Sequence, residues 1–151
     1  LDWPEPLVAG FGSGPVEVEE EYVRGTIAEG WEVEILDEEG IDYEVFKTRR
    51  SQTMALTYGE FAITRDFGED IGGRDLTIDY RHDGEGWFQV WVDDQIIFTE
   101  TEFAQQEATV SIPYFARSVK FVLGAPASSE RTHEVTLYSL TLSPPAPTPA
   151  E

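Results

Sequence analysis

Trp87 and Trp91 stand four residues apart in the stretch Arg74 to Asp94, RDLTIDYRHDGEGWFQVWVDD, close to several residues able to bind a polar ligand. Leu76, Ile78 and Tyr80 alternate with Thr77, Asp79 and Arg81; after a Gly-containing break, Phe88, Val90 and Val92 alternate with Trp87, Gln89 and Trp91. Side chains on a strand point to opposite faces at period two, so each run has an apolar face and a mixed one. If the two runs form a hairpin, Thr77, Asp79, Arg81, Trp87, Gln89 and Trp91 share a single face. An indole ring covers the apolar side of a pyranose, while Asp, Arg and Gln hold hydroxyls through paired hydrogen bonds. At the usual rise of a strand the two tryptophan Cα atoms lie about 13 Å apart, which suits a glycan chain of two or three units. Tyr58 is a further candidate platform. The competing reading puts both indoles beneath the N-terminal segment or a loop, with Asp79 and Arg81 paired across the strands.

Catalytic signatures are scarce. His82 and His133 are the only imidazoles and fall in polar surroundings, which reads as surface. There is no His pair at helical spacing, no Gly-x-Ser-x-Gly and no phosphate loop. With 30 acidic residues in the chain, any one carboxylate pair says little about glycoside hydrolysis. The expectation is a protein without catalytic activity, a small β-sandwich lyase or hydrolase being the minority alternative.

The elements that must position these residues are short strands. Trp31 to Leu36 alternates, and Tyr43 to Lys47 and Thr53 to Tyr58 read as two strands, with another after Gly59 through Phe61 and Ile63. Phe67 to Gly73 is a loop. Gln95 to Thr99, Glu107 to Ile112, Ser118 to Leu123 and Glu134 to Leu142 follow as strands. The last changes the phase of its apolar positions near Ser139, the mark of a bulge. Val16 to Tyr22 reads as an edge strand whose glutamates keep it from pairing with other chains. No stretch carries a sustained helical period. The fold class expected is all-β, an antiparallel sandwich of jelly-roll topology.

Three regions follow from punctuation. Leu1 to Pro15 is a linker or a packed extended segment, residues 16–142 are the β-sandwich domain, and Ser143 to Glu151 (SPPAPTPAE) is a Pro/Thr-rich spacer. Such a spacer, and a start at Leu1 and not Met, point to a processed piece of a modular protein at the cell surface or outside the cell, covalently linked to a neighbouring domain.

Composition narrows the partners. The chain has 151 residues and a formal net charge of −20, with lysine only at positions 47 and 120. Nucleic acid backbones need clustered cations and anionic membranes repel acidic surfaces, so neither is an expected partner. No run is long enough to span a bilayer. The acidity fits solubility through self-repulsion or life in high salt. Without cysteine there is neither disulfide nor thiolate metal site.

Several of these segments together resemble a known family. Phe61-Ala-Ile-Thr-Arg-Asp-Phe, Asp75-Leu-Thr-Ile-Asp-Tyr-Arg, Phe88-Gln-Val-Trp-Val-Asp, Ala108-Thr-Val-Ser-Ile-Pro, Val119-Lys-Phe-Val-Leu-Gly and Val135-Thr-Leu-Tyr-Ser-Leu-Thr-Leu follow one another as in galactose-binding-like jelly rolls, the fold of many carbohydrate-binding modules. The resemblance covers roughly residues 61–142, and departs where Asp93-Asp94-Gln95 replaces the usual Asp-Gly turn. It implies a non-catalytic module that binds a polysaccharide, for which the alternation of the strands supplies Trp87, Trp91, Arg81, Asp79 and Gln89, with Tyr58 as a further platform. It also implies a structural Ca²⁺, for which Asp37 to Glu39, Glu69 with Asp70, and Asp93 with Asp94 are scattered candidates, none in calcium-loop spacing. Related folds serve in virions, tails and surface layers, so a structural or adhesive domain that docks another protein stands as the alternative.

Overall fold

Alternation at period two shows directly in the burial of the strands. Along β6 (Asp75–Asp83), Leu76, Ile78, Tyr80 and His82 are buried and the residues between them are not; along β7 (Trp87–Val92) the buried residues are Phe88, Val90 and Val92. The computed structural model describes residues 7–8, 23–24, 30–36, 42–47, 51–84, 86–126 and 128–143. Its other strands are β1 (Leu7–Val8), β2 (Val23–Arg24), β3 (Glu32–Ile35), β4 (Asp42–Lys47), β5 (Gln52–Asp66), β8 (Gln95–Glu100), β9 (Phe103–Ser111), β10 (Ser118–Ala125) and β11 (His133–Leu142). No helix among the described residues is long and apolar enough to cross a membrane.

The strands form two facing antiparallel sheets, as the jelly-roll expectation requires. The first runs β9-β6-β11-β5-β4, with β2 beside β4 and β1 beside the end of β11; the second runs β8-β7-β10-β5-β3. The strand common to both is β5. Its first half pairs with β4 and β11, and its second half pairs with β10 and β3. Gly59, at φ 101°, lies where the strand changes sheet, a conformation that side chains with a Cβ resist. Thr53 to Tyr58 and the run through Phe61 and Ile63 are therefore one 15-residue strand, not two.

The hairpin expected between β6 and β7 does not form. β6 pairs with β9 and β11 in the first sheet, and β7 pairs with β8 and β10 in the second. Between them the chain crosses the sandwich, with Gly84 and Gly86 at φ 97° and 69°. The apolar faces of β6 and β7 meet through the core: the Tyr80 ring lies 5.3 Å from Phe88 and 6.0 Å from Phe98, and Phe88 lies 6.1 Å from Phe121. Two strands that face each other need the same alternation as two that lie side by side, and a short glycine turn serves both. The shared mixed face is overturned, because the two outward faces point to opposite sides of the sandwich.

Both imidazoles also depart from expectation, being buried and not at the surface. His82 faces the core beside Phe88, with Nδ1 2.9 Å from the Glu102 carbonyl and Nε2 without a partner among the described residues. His133 Nε2 lies 2.7 Å from Ser129 Oγ. The phase change in β11 is the bulge anticipated, a register shift between Leu137 and Ser139. Leu7 and Val8 pair with Leu142 and Thr141, and Ser143 is tied to the body through Arg74 and Asp75. The expected edge strand at Val16 to Tyr22, Asp37 to Glu39 and the spacer beyond Ser143 lie outside the described residues.

Candidate functional site

The outer face of the second sheet carries Trp87, Gln89 and Trp91, and the strands beside β7 determine what surrounds them. In register, Trp87 is opposite Gly124 of β10, which is opposite Glu60 of β5. Gly124 has no side chain, and the indole of Trp87 lies in the space that a Cβ there would fill. The ring thus lies across β10 and donates its Nε1 hydrogen to Glu60 Oε2 at 2.6 Å. A charge-assisted hydrogen bond of that length holds the ring in one orientation.

Two residues further along, Gln89, Val122, Ala62 and Glu34 form the next row across β7, β10, β5 and β3, followed by Trp91, Lys120, Thr64 and Glu32. Trp91 donates from Nε1 to Gln89 Oε1 at 2.9 Å. Lys120 Nζ lies 5.5 Å from the centroid of the Trp91 ring and 2.8 Å from Glu34 Oε2, so its stem crosses β5 to reach β3. Thr64 donates to the same Glu34 oxygen at 3.2 Å. The hydrogen bond from Lys120 holds the Glu34 carboxyl below its ordinary value, against a smaller opposing effect of burial. Val122 and Ala62 are fully buried, although they are on the outward side of the sheet. Both indoles remain partly exposed and neither is sealed.

This arrangement offers two ring faces held in fixed orientations on one strand. The amide of Gln89 and the further hydrogens of Lys120 are donors, and the second oxygens of Glu60 and Glu34 are acceptors. A strip that alternates flat apolar rings with fixed hydrogen-bonding groups is suited to a ligand that alternates ring faces with hydroxyls.

The other candidates lie elsewhere. Asp79 and Arg81 are on the outer face of the first sheet, in register with Glu107 and Gln105 of β9, and the Arg81 guanidinium sits 5.3 Å over the Phe103 ring. Tyr58 is exposed at the point where β5 leaves the first sheet, opposite Asp42. One ligand on the β7 face cannot touch Asp79 or Arg81. Glu60, Glu34, Thr64 and Lys120 take their place, and none was marked by the sequence. Lys120 alternates with Val119 and Phe121, and Glu34 with Val33 and Ile35, so their outward direction is readable; which strands lie beside β7 is not.

Of the calcium candidates that are described, Asp70 and Asp93 serve the loops. Asp70 Oδ1 accepts the backbone hydrogens of Gly72 and Ala116, and Asp93 Oδ1 accepts those of Arg117 and Ser118 as well as the Ser118 hydroxyl. Among the described residues, no three His, Asp or Glu side chains gather as a metal site.

No family model matches the chain, and no curated protein does. Solved structures match along nearly its whole length. The K2 cleaved adhesin domain of Lys-gingipain aligns with 91% of this chain and 97% of its own, at 11% identity and a TM-score of 0.64. The Stig cyclase Fisc from Fischerella sp. TAU aligns with 91% of this chain and 96% of its own, at 10% identity and 0.52. A family 29 carbohydrate-binding module from Piromyces equi aligns with 93% and 91%, at 14% identity and 0.48. At such identities the likeness is one of fold, and the fold is the jelly-roll β-sandwich expected from the alternating strands.

Proposed function

We propose that this chain is a non-catalytic carbohydrate-binding module that holds a polysaccharide chain along β7, its sugar rings stacked on Trp87 and Trp91. The observation that carries this reading is the pair of partly exposed indoles, each fixed by its own hydrogen bond on a single strand face. At the rise of a strand the two tryptophan Cα atoms lie about 13 Å apart, so the site suits a chain of two or three units and not a single sugar. Such a module works outside the cell or at its surface, linked to the domain it serves.

The test is calorimetry against cellohexaose, laminarihexaose, mannohexaose and xylohexaose. Binding of one of them is expected, weakened about tenfold or more by Trp91→Ala through loss of a stacking surface. Asp79→Ala, on the opposite side of the sandwich, serves as the control and leaves affinity unchanged. Affinity for none of the four, or equal affinity in the Trp91→Ala protein, sinks the reading.

A second reading is favoured by a different observation. Tyr114 and Phe115 project from the loop after β9, exposed by 62% and 87%, as on an adhesive domain that docks another protein. Sedimentation in the presence and absence of glycan separates the two: protein assemblies that persist when the β7 face is mutated would favour adhesion.

A further inference from the structure

Among the described residues the β7 face includes one cation, Lys120, and that cation is largely closed off. Lys120 is one of only two lysines in a chain of net charge −20. Its ammonium lies over the Trp91 ring, 5.5 Å from the ring centroid, and its side chain is only 13% exposed. Glu34, reaching in from the edge strand β3, holds it at 2.8 Å and is itself 45% exposed. Thr64 supports Glu34 from β5, and the carboxyl is kept below its ordinary range by Lys120, so it stays ionised and paired.

We infer that Glu34 is a specificity-determining residue: by neutralising Lys120 beside Trp91, it restricts this face to neutral glycans and excludes uronic acid chains. This deepens the proposed function and rests on it. An ammonium next to a stacked sugar is the group that would recognise a C6 carboxylate, through a charge-assisted hydrogen bond. With Glu34 in place, a uronate meets a carboxylate already on that ammonium, and like charges at the rim of a site repel. The exclusion comes from one residue on a neighbouring strand and not from the shape of the platform. Its removal leaves the ring faces of Trp87 and Trp91 as they are.

Glu34→Gln tests this, because the amide keeps the length of the side chain and an oxygen for Thr64 while it gives up the charge. Affinity is measured for cellohexaose, laminarihexaose and mannohexaose and for the C6-oxidised, uronate form of each. The ratio of uronate to neutral affinity should rise about tenfold in Glu34→Gln, the worth of one charge-assisted hydrogen bond. Adding Lys120→Met, which keeps the stem over β5, should reverse the rise. Glu34→Ala provides a second charge-free variant, and circular dichroism verifies that each protein is folded. Neutral binding with an unchanged ratio in both Glu34 variants overturns the inference and leaves the module reading standing. A rise that survives Lys120→Met also overturns it, since general repulsion by the acidic surface would then be the cause. Absence of binding to all three neutral probes in the unmodified protein overturns the inference, and absence of binding to xylohexaose as well overturns both.

Discussion

Tyr80 is the residue at which packing and polarity meet most closely. Its ring is fully buried between Phe88 and Phe98, while its hydroxyl donates to Glu100 Oε1 at 2.9 Å and accepts from Gln106 Nε2 at 3.0 Å. The hydroxyl thus ties β8 of one sheet to β9 of the other at the mouth of the sandwich. Burial pushes the phenol up to about 12; the Gln106 donor opposes this and the Glu100 carboxylate adds to it. The folded state therefore holds this proton more tightly than the unfolded chain, where a tyrosine titrates near 10. Stability from this group is complete below about pH 10 and is lost as pH climbs through about 12. Urea unfolding of the unmodified protein and of Tyr80→Phe across that window should show the difference between them shrinking with rising pH. A constant difference would mean that the hydroxyl does not titrate with folding. The sequence made Tyr80 legible as an inward residue of an alternating strand. It did not reveal Glu100 or Gln106 as partners, because those contacts join positions brought together only by tertiary structure.

At the level of elements, the row from Trp87 through Gly124 to Glu60 links three strands of the second sheet. Gly124 is required by the indole that lies over it, and so for close approach and not for unusual backbone angles. Gly124→Ala should force Trp87 off β10 and break its bond to Glu60, at a cost of about 1–3 kcal/mol for an overpacked site. Chemical denaturation would measure the loss, and a shift in tryptophan emission would report the displaced ring. Unchanged emission would show that Trp87 does not rest on that glycine. Glu60→Gln complements this, since it weakens the hydrogen bond without crowding. Nearly all the strands were readable from alternation, including the bulge beside Ser139. What alternation could not distinguish was a hairpin from an arch, so Asp79 and Arg81 were grouped with tryptophans that face the other way. The continuity of β5 through Gly59 was missed for a related reason: glycine in a strand reads as a break unless the strand is known to change sheets.

For the whole molecule, the net charge of −20 governs how it responds to its medium. Self-repulsion of so many carboxylates opposes the compact state and is screened over about 3 Å in 1 M salt. The melting temperature should therefore rise from low salt to molar NaCl, as scanning calorimetry would register; a fall or a flat response would argue that the acidic surface is not under strain. Affinity for a neutral glycan carries no such dependence, because stacking and hydrogen bonds involve no net charge on the ligand, and calorimetric titrations at both salt levels would check that. Composition by itself determined the acidity and the absence of disulfides. Periodicity determined an all-β class, and the aromatic-polar alternation of Trp87, Gln89 and Trp91 marked one strand as chemically unusual. Only the tertiary structure decided which side of the sandwich each outward residue occupies and which strands flank β7. It thereby replaced Asp79 and Arg81 with Glu60, Glu34 and Lys120 as the neighbours of the indoles. The physical reason is that a strand's own side chains encode which way they point, whereas its neighbours are chosen by contacts between distant segments that share one core.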